Sequence, residues 1–289
     1  MLKILITGGN GNIAKMITNN LSSEFDITCI CRSDFDLLDF KSVQNYLSLN
    51  SFDVLIHTAI NGGRRTKSEN GDVVYNNLIM FENLVKFADK FRLIINFDSG
   101  AIYDRSTNIF CRKEEDLISV PSDYYGFSKY LIYNRSLNYA NIVNFRIFNI
   151  FHINEEPDRF IKACFVAKQK GTNVVISQDK YFDFMSETDF IKIVRHYLTN
   201  LNGSQGSHDL QCFPKTFNLS YKQKYTLSDI AHFILQDINK IVILSELNAD
   251  QGNYCGNSDK LNDIGLDLDG LEVSIKKFEK LFSIVTAQN

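Results

Sequence analysis

The chain has 289 residues, enough for one large α/β domain or a large domain with a smaller partner. Hydrophobic content of 44% and charged content of 22% are those of an ordinary soluble globular protein. A net charge of −3 with no basic block interleaved with aromatics argues against nucleic-acid binding, and no apolar run suits a signal peptide or a membrane span.

A cytoplasmic location is therefore the expectation. Six cysteines (Cys29, Cys31, Cys111, Cys164, Cys212 and Cys255) are scattered without a CxxC pair, and read as reduced, mostly buried thiols. Five dispersed histidines suggest no metal site.

Residues 3–7 form an apolar strand, and 13–21 a helix with Ile13, Met16, Ile17 and Leu21 on one face. A strand at 27–31, a helix at 41–49, a strand at 54–58, a helix at 73–88 and a strand at 93–97 follow. After a loop from Tyr103 to Pro121 come a helix at 124–139 and a strand at 142–148. Such alternation predicts an α/β fold, a Rossmann-like doubly wound parallel sheet with right-handed crossovers.

The later part changes character. Helices are expected at 160–170, 188–201, 227–237 and 271–282, with short strands at 174–177, 182–185, 217–220 and 241–244. The Gly/Ser-rich stretch 202–208 reads as an exposed loop. The expected division is a dinucleotide-binding domain over 1–150, to which segments near 178–200 return. Residues 151–289 would then be mainly a smaller, interwoven α/β substrate-binding domain.

Between the first strand and first helix, Gly8, Gly11 and Ala14 give G-x-x-G-x-x-A. Gly8 permits the tight turn, Gly11 admits a pyrophosphate to the backbone, and a small residue at 14 lets helix and sheet pack closely. Gly8, Asn10, Gly11, Asn12 and Ile13 are thus the expected cradle of a nicotinamide dinucleotide, with its phosphates at the helix N-terminus. The second strand runs into Cys31-Arg32-Ser33. Arg32 and Ser33 suit a 2′-phosphate and favour NADP, while Asp34 and Asp36 keep NAD as the alternative. Asp39 and Phe40 either lie beside the adenine or, for Asp39, cap the second helix. Thr58, Ala59 and Ile60 after the third strand would pass next to the cofactor. His57 reads as a packed strand-end residue, and Arg64-Arg65 as a solvated surface pair.

Tyr125 and Lys129 stand four apart on one helical face. A nearby ammonium favours the phenolate and brings the phenol toward the range needed for acid–base work. Lys129 also reaches for the nicotinamide ribose. Ser99, at the carboxyl end of the fourth strand, can donate to a substrate oxygen as charge develops on it. The cradle and the Ser–Tyr–Lys set together describe an enzyme moving hydride on and off a carbonyl. Tyr124, with Ser128 four residues on, is the decoy.

These motifs make the chain resemble the extended short-chain dehydrogenase/reductases, in particular the NAD-dependent epimerase/dehydratase family acting on nucleotide sugars. The resemblance rests on Thr7-Gly8-x-x-Gly11-x-x-Ala14, on Val54-Leu55-Ile56-His57-Thr58-Ala59, and on Asp98-Ser99-Gly100-Ala101-Ile102-Tyr103, where Asp98 replaces a serine. It continues through Tyr125, Lys129, Phe145-Arg146-Ile147-Phe148-Asn149 and Phe182-Asp183-Phe184. It implies an Asn–Ser–Tyr–Lys tetrad completed by Asn77, a substrate diphosphate touched by Asn149, and Gly100 and Ala101 beside the sugar. Phe182 stands where the family has a nucleotide-binding arginine, and Arg159 and Lys180 are candidates to compensate.

Gly100-Ala101 also occupies the place of the Asp-Glu pair of dehydratases and, at Ala101, of the cysteine of keto-sugar epimerase-reductases. The resemblance therefore implies reduction of a nucleotide-linked 4-keto-(6-deoxy)hexose by NAD(P)H, or C4-epimerisation of the UDP-glucose/UDP-galactose type with tightly bound NAD. A non-catalytic dinucleotide sensor would need neither Tyr125 nor Lys129. Related proteins often dimerise through two helices per subunit, and the helices at 73–88 and 124–139 could pair so in a homodimer, although a buried apolar face reads the same in a monomer.

Overall fold

The computed structural model describes residues 1–63, 68–203, 214–248 and 250–287. Arg64, Arg65, Cys212 and the expected loop from 204 onward lie outside the described residues. The chain begins β1 (Lys3–Thr7), α1 (Asn12–Leu21), β2 (Asp26–Ile30), α2 (Phe40–Leu49), β3 (Val54–His57), α3 (Gly71–Val85) and β4 (Leu93–Ser99). It continues through β5 (Ile109–Arg112), α4 (Tyr124–Ser136), β6 (Ile142–Ile147), β7 (Ile150–Phe151), α5 (Phe160–Lys170), β8 (Val174–Ile176) and β9 (Met185–Ser186). The last elements are α6 (Glu187–Gly203), β10 (Thr216–Leu219), α7 (Leu227–Leu235), β11 (Ile241–Ile243), β12 (Tyr254–Gly256), α8 (Asp259–Asn262) and α9 (Gly270–Ala287).

Two compact units emerge. The first comprises Met1–Arg105, Leu117–Arg146 and Ile193–Phe217; the second comprises Ser106–Asp116, Ile147–Lys192 and Asn218–Asn289. The central sheet has six strands in the order β10-β6-β4-β3-β1-β2, with β2, β1, β3 and β4 paired in parallel. All of β3 and β4 is buried, the mark of strands covered on both faces. Leu5, Leu55 and Ile94 share one core with Val43 and Leu47 of α2, Phe81 and Leu84 of α3, and Ile132 of α4. Tyr197 of α6 packs its ring on Phe145 and Phe217, 5.0 and 5.6 Å between centroids.

The connection from β1 leads to β2 on one side, whereas β3 pairs on the other, so the strand order reverses at β1. Open α/β sheets bind ligands at the carboxyl ends of strands flanking such a reversal. The turn after β1 and the segment after β3 meet there: a Cβ on Gly8 would lie 2.8 Å from the backbone of Ala59.

Three expectations are corrected. The loop expected from Tyr103 to Pro121 contains β5, which pairs in parallel with β12, and neither strand is long enough to show an alternating pattern. Phe182 forms only an isolated bridge to Tyr254, and the strand expected there is Met185–Ser186, paired with β7. Of the five described cysteines, all free, only Cys164 and Cys255 are buried. Helix ends also move: α3 stops at Val85, α4 at Ser136, and α9 runs on to Ala287. No described helix is long and apolar enough to cross a membrane.

Candidate active site

The glycine turn has the form a dinucleotide needs. Gly8 has φ +71°, the left-handed region that favours glycine, and its carbonyl accepts the Gly11 N–H at 2.8 Å. Helix α1 begins with Gly11 as N-cap, no side-chain cap and no acidic residue in its first turn. Its leading amides are thus left for an anionic ligand, and the positive end of the helix favours one. Asn10, Gly11 and Asn12 are exposed, and Ala14 is fully buried against the sheet. These residues fit a dinucleotide pyrophosphate.

After β2, Cys31 through Asp34 form a turn in which the Asp34 carboxylate accepts the Cys31 N–H at 2.8 Å. That hydrogen bond holds the Asp34 carboxyl below its usual range. Arg32 and Ser33 project from the turn, exposed, and Arg32 makes no ion pair among the described residues. A free guanidinium beside a turned-back carboxylate suits a 2′-phosphate. Asp39 caps α2, accepting from the Lys41 and Ser42 amides, while Phe40 stacks on Phe87 with the Lys86 ammonium 4.3 Å from its ring centre. Both side chains expected near the adenine therefore already have structural partners.

Thr58 donates its hydroxyl to the Thr7 carbonyl at 2.6 Å, which ties the segment Thr58, Ala59, Ile60 to the glycine turn. His57 shares a 2.9 Å hydrogen bond with the Thr7 hydroxyl. Burial and the positive charge of Lys129 push its pKa down to about 3, so it is a neutral strand-end imidazole.

The reacting groups gather around the start of α4. Asp123 is its N-cap, accepting from the Gly126 N–H at 2.8 Å, and is itself paired with Arg105 at 2.6 Å. A second carboxylate, Glu69, accepts the Tyr125 N–H at 3.2 Å and the Gly63 N–H at 2.5 Å. Glu69 thereby ties the glycine segment after β3 to the first turn of α4. Gly63, at φ +84°, lies against Tyr125: an added Cβ would be 3.0 Å from ring atoms Cε2 and Cζ. The Arg105 guanidinium lies 5.9 Å from the centre of the same ring.

One turn on, Lys129 is buried, its Nζ donating to the Phe97 carbonyl at 2.5 Å and lying 5.8 Å from the Tyr125 ring centre. Burial lowers its pKa to about 8, against which the Asp98 carboxylate works in the opposite direction. The Ser99 hydroxyl oxygen accepts the Ala101 N–H at 3.2 Å, which leaves its O–H as a donor. Gly126 lets the helix press onto this turn, since a Cβ there would meet the Ala101 carbonyl at 2.7 Å. Gly100 and Ala101 are buried in it. Asn77, fully buried on α3, exchanges hydrogen bonds with the Asn61 backbone and donates to the Ser128 hydroxyl at 3.0 Å. All four expected tetrad residues thus belong to the first unit and to adjoining segments of it.

The other expected residues lie in the second unit. Arg159 donates to the Asn149 side-chain oxygen at 2.5 Å, which brings those two together. Beneath it, burial pushes the Glu155 carboxyl up to about 7. Lys180 places its ammonium 5.9 Å from the Phe182 ring centre. Sequence reasoning missed Glu69, Asp123 and Arg105, and took Gly63 only as one of the small residues passing beside the cofactor, not as a contact of Tyr125. The only local sign was the Gly62-Gly63 pair, and Glu69 carries no motif.

A family model described as the NAD dependent epimerase/dehydratase family matches residues 4–213. Among solved structures, a dTDP-4-dehydrorhamnose reductase from Clostridium acetobutylicum is similar, with TM-score 0.78 and 16% identity over 98% of this chain and all of that one. A GDP-mannoheptose C4 reductase from Campylobacter jejuni with NADP bound gives TM-score 0.76 and 14% identity over 98% of each chain. The Bordetella bronchiseptica enzyme WbmG, in complex with NAD and UDP, gives TM-score 0.76 and 16% identity over 98% of this chain and 96% of that one. No curated protein sequence matches the chain.

Proposed function

The chain belongs to the NAD-dependent epimerase/dehydratase family, and from that premise we propose that it reduces a nucleotide-linked 4-keto-(6-deoxy)hexose with NADPH. The observation that carries this reading is the group around α4: a tyrosine and a buried lysine one turn apart on a helix pressed against the turn after Ser99, where Gly100 and Ala101 offer no acid or base.

The nicotinamide supplies hydride to the ketone carbon when bound. Tyr125 gives its phenolic proton to the ketone oxygen, and the Lys129 ammonium keeps that phenol acidic enough to do so. Ser99 donates a hydrogen bond to the same oxygen as negative charge gathers on it. Asn77 holds the Asn61 segment and Ser128 and so keeps α3 and α4 in register. Gly8, Asn10, Gly11, Asn12 and Ile13 would hold the pyrophosphate, Arg32 and Ser33 the 2′-phosphate, and Thr58, Ala59 and Ile60 the inner part of the dinucleotide. Asn149, Arg159 and Lys180 would meet the nucleotide diphosphate of the substrate.

Neighbours are crystallised with NAD or with NADP, and the feature that favours NADP over NAD is the exposed Arg32, which makes no ion pair among the described residues. Elimination requires an additional acid–base pair, and Gly100-Ala101 supplies none. The reading is tested by an NADPH-oxidation screen across GDP-, UDP-, dTDP- and CDP-4-keto-6-deoxy sugars. Stoichiometric oxidation with at least one of them is expected. Protein that carries tightly held NAD and interconverts UDP-glucose and UDP-galactose without consuming cofactor would instead be a C4-epimerase.

The contact between Gly63 and Tyr125 gives a sharper prediction. Gly63→Val adds a branched side chain at a positive φ against the reacting ring, and a displacement of about 1 Å costs on the order of 100-fold in rate. Turnover of the keto sugar should fall by that order in the soluble variant while NADPH affinity holds. Unchanged turnover would mean that Gly63 does not set the position of Tyr125.

A further inference from the structure

Directly before Ser99 lies a charge that the reaction as written does not use. Asp98 is on β4 with its side chain 1% exposed, and its Oδ2 accepts from Arg146 Nε on β6 at 2.7 Å. Its other oxygen accepts the Ser99 backbone N–H at 2.8 Å. The Arg146 guanidinium, itself wholly buried, donates from Nη1 to the Tyr103 hydroxyl at 2.5 Å and lies 4.7 and 5.0 Å from the ring centres of Tyr103 and Tyr133. Two aromatic faces and one phenol therefore lock the cation that locks Asp98.

The residue on the other side of Asp98, Phe97, offers its carbonyl to Lys129 Nζ. Three consecutive residues of β4 thus carry the docking point of the lysine, a fixed carboxylate and the candidate serine. Among the described residues, the charged and titratable groups that act on Lys129 or lie against it include His57 on β3, neutral; Tyr125 on its own helix; and Asp98 on β4, with Arg146 behind it. Asp98, the next residue in the strand after the carbonyl that holds Lys129 Nζ, is the carboxylate whose charge favours the ammonium.

We propose that Asp98 is a positioning residue for the reduction: clamped by Arg146, its carboxylate fixes the Ser99 backbone and provides the counter-charge that the buried Lys129 ammonium needs beside Tyr125. This rests on the reductase reading for its catalytic meaning, but the charge relation itself is a property of the unliganded protein. Removing the carboxylate charge leaves burial unopposed, so Lys129 gives up its proton at lower pH and the phenol loses its activating cation earlier. The alkaline limb of turnover then moves to lower pH.

The test is a pH titration of 15N-lysine-labelled, cofactor-free protein by NMR, with the Lys129 signal identified by its loss in Lys129→Arg. Wild type should titrate near pH 8, and Asp98→Asn should lower the midpoint by about one pH unit or more. The alkaline limb of kcat should shift in parallel. Asp98→Asn strands a buried guanidinium, so Asp98→Asn combined with Arg146→Met serves as a second variant in which no guanidinium is stranded; a downward shift is again expected, smaller than in Asp98→Asn because the repulsion from Arg146 is gone as well. A Lys129 midpoint that does not move in the folded variant overturns the proposal. Wild type that oxidises no NADPH on any keto sugar would remove the reductase reading, and the lysine titration would still decide the role of Asp98.

Discussion

Tyr125→Phe is expected to lower keto-sugar reduction by about 10²–10⁴-fold, the range a positioned proton donor supplies. The variant keeps the ring that Gly63 lies against and that Lys129 and Arg105 face, so the fold around α4 has no reason to change. What disappears is one hydroxyl. NADPH binding, measured by fluorescence titration, should therefore stay close to wild type while kcat collapses. The protonated state of Lys129 does not rescue the variant, because without the phenol there is no group for the ammonium to activate. Turnover that survives the substitution would remove Tyr125 from the reaction and leave Ser99 without its partner donor.

The second large effect belongs to the cofactor turn. Gly8→Val places a branched side chain at φ +71°, a conformation that costs an L-residue about 1–2 kcal/mol. Its Cβ would also lie 2.8 Å from the Ala59 backbone, and neither wall of that contact is a flexible side chain. Relief requires the turn after β1 to part from the segment after β3, the two segments that would hold the dinucleotide. The expected result is NADPH affinity weaker on the order of 30–100-fold, from about 2–3 kcal/mol of strain carried by the bound form. Titration of NADPH into the purified variant reads this directly. Wild-type affinity would show that the cofactor does not use the Gly8 turn.

What could be read from the sequence was local. Gly8, Gly11 and Ala14 lie within one strand–turn–helix, and Tyr125 and Lys129 within one helical turn, so spacing alone carries their geometry. The apolar runs that became β1, β3 and β4 are buried on both faces, which makes strand identity and the parallel sheet legible together. The clamps around these groups join residues far apart in the chain. Glu69 meets Tyr125 across 56 positions and Asp98 meets Arg146 across 48, and no periodicity records such a pairing. The pairing of β5 with β12 is longer still, with the Cys111 N–H reaching Cys255 Sγ 144 residues away. Its strands of four and three residues are too short to show a pattern of their own. Asp39 illustrates a different limit. An aspartate at the mouth of a helix reads equally well as a ligand contact or a cap, and its hydrogen bonds to Lys41 and Ser42 are those of a cap.

The central claim is that hydride enters the sugar at a carbonyl whose oxygen takes its proton from Tyr125. Incubation of the wild-type enzyme with NADPH carrying deuterium at both nicotinamide C4 positions, and with the keto sugar selected by the oxidation screen, tests it most directly. Mass spectrometry and NMR of the product should find one deuterium at sugar C4 for each NADPH oxidised, with transfer by Tyr125→Phe slower by about 10²–10⁴-fold. Product free of deuterium, or deuterium delivered equally well by the phenylalanine variant, would contradict the account.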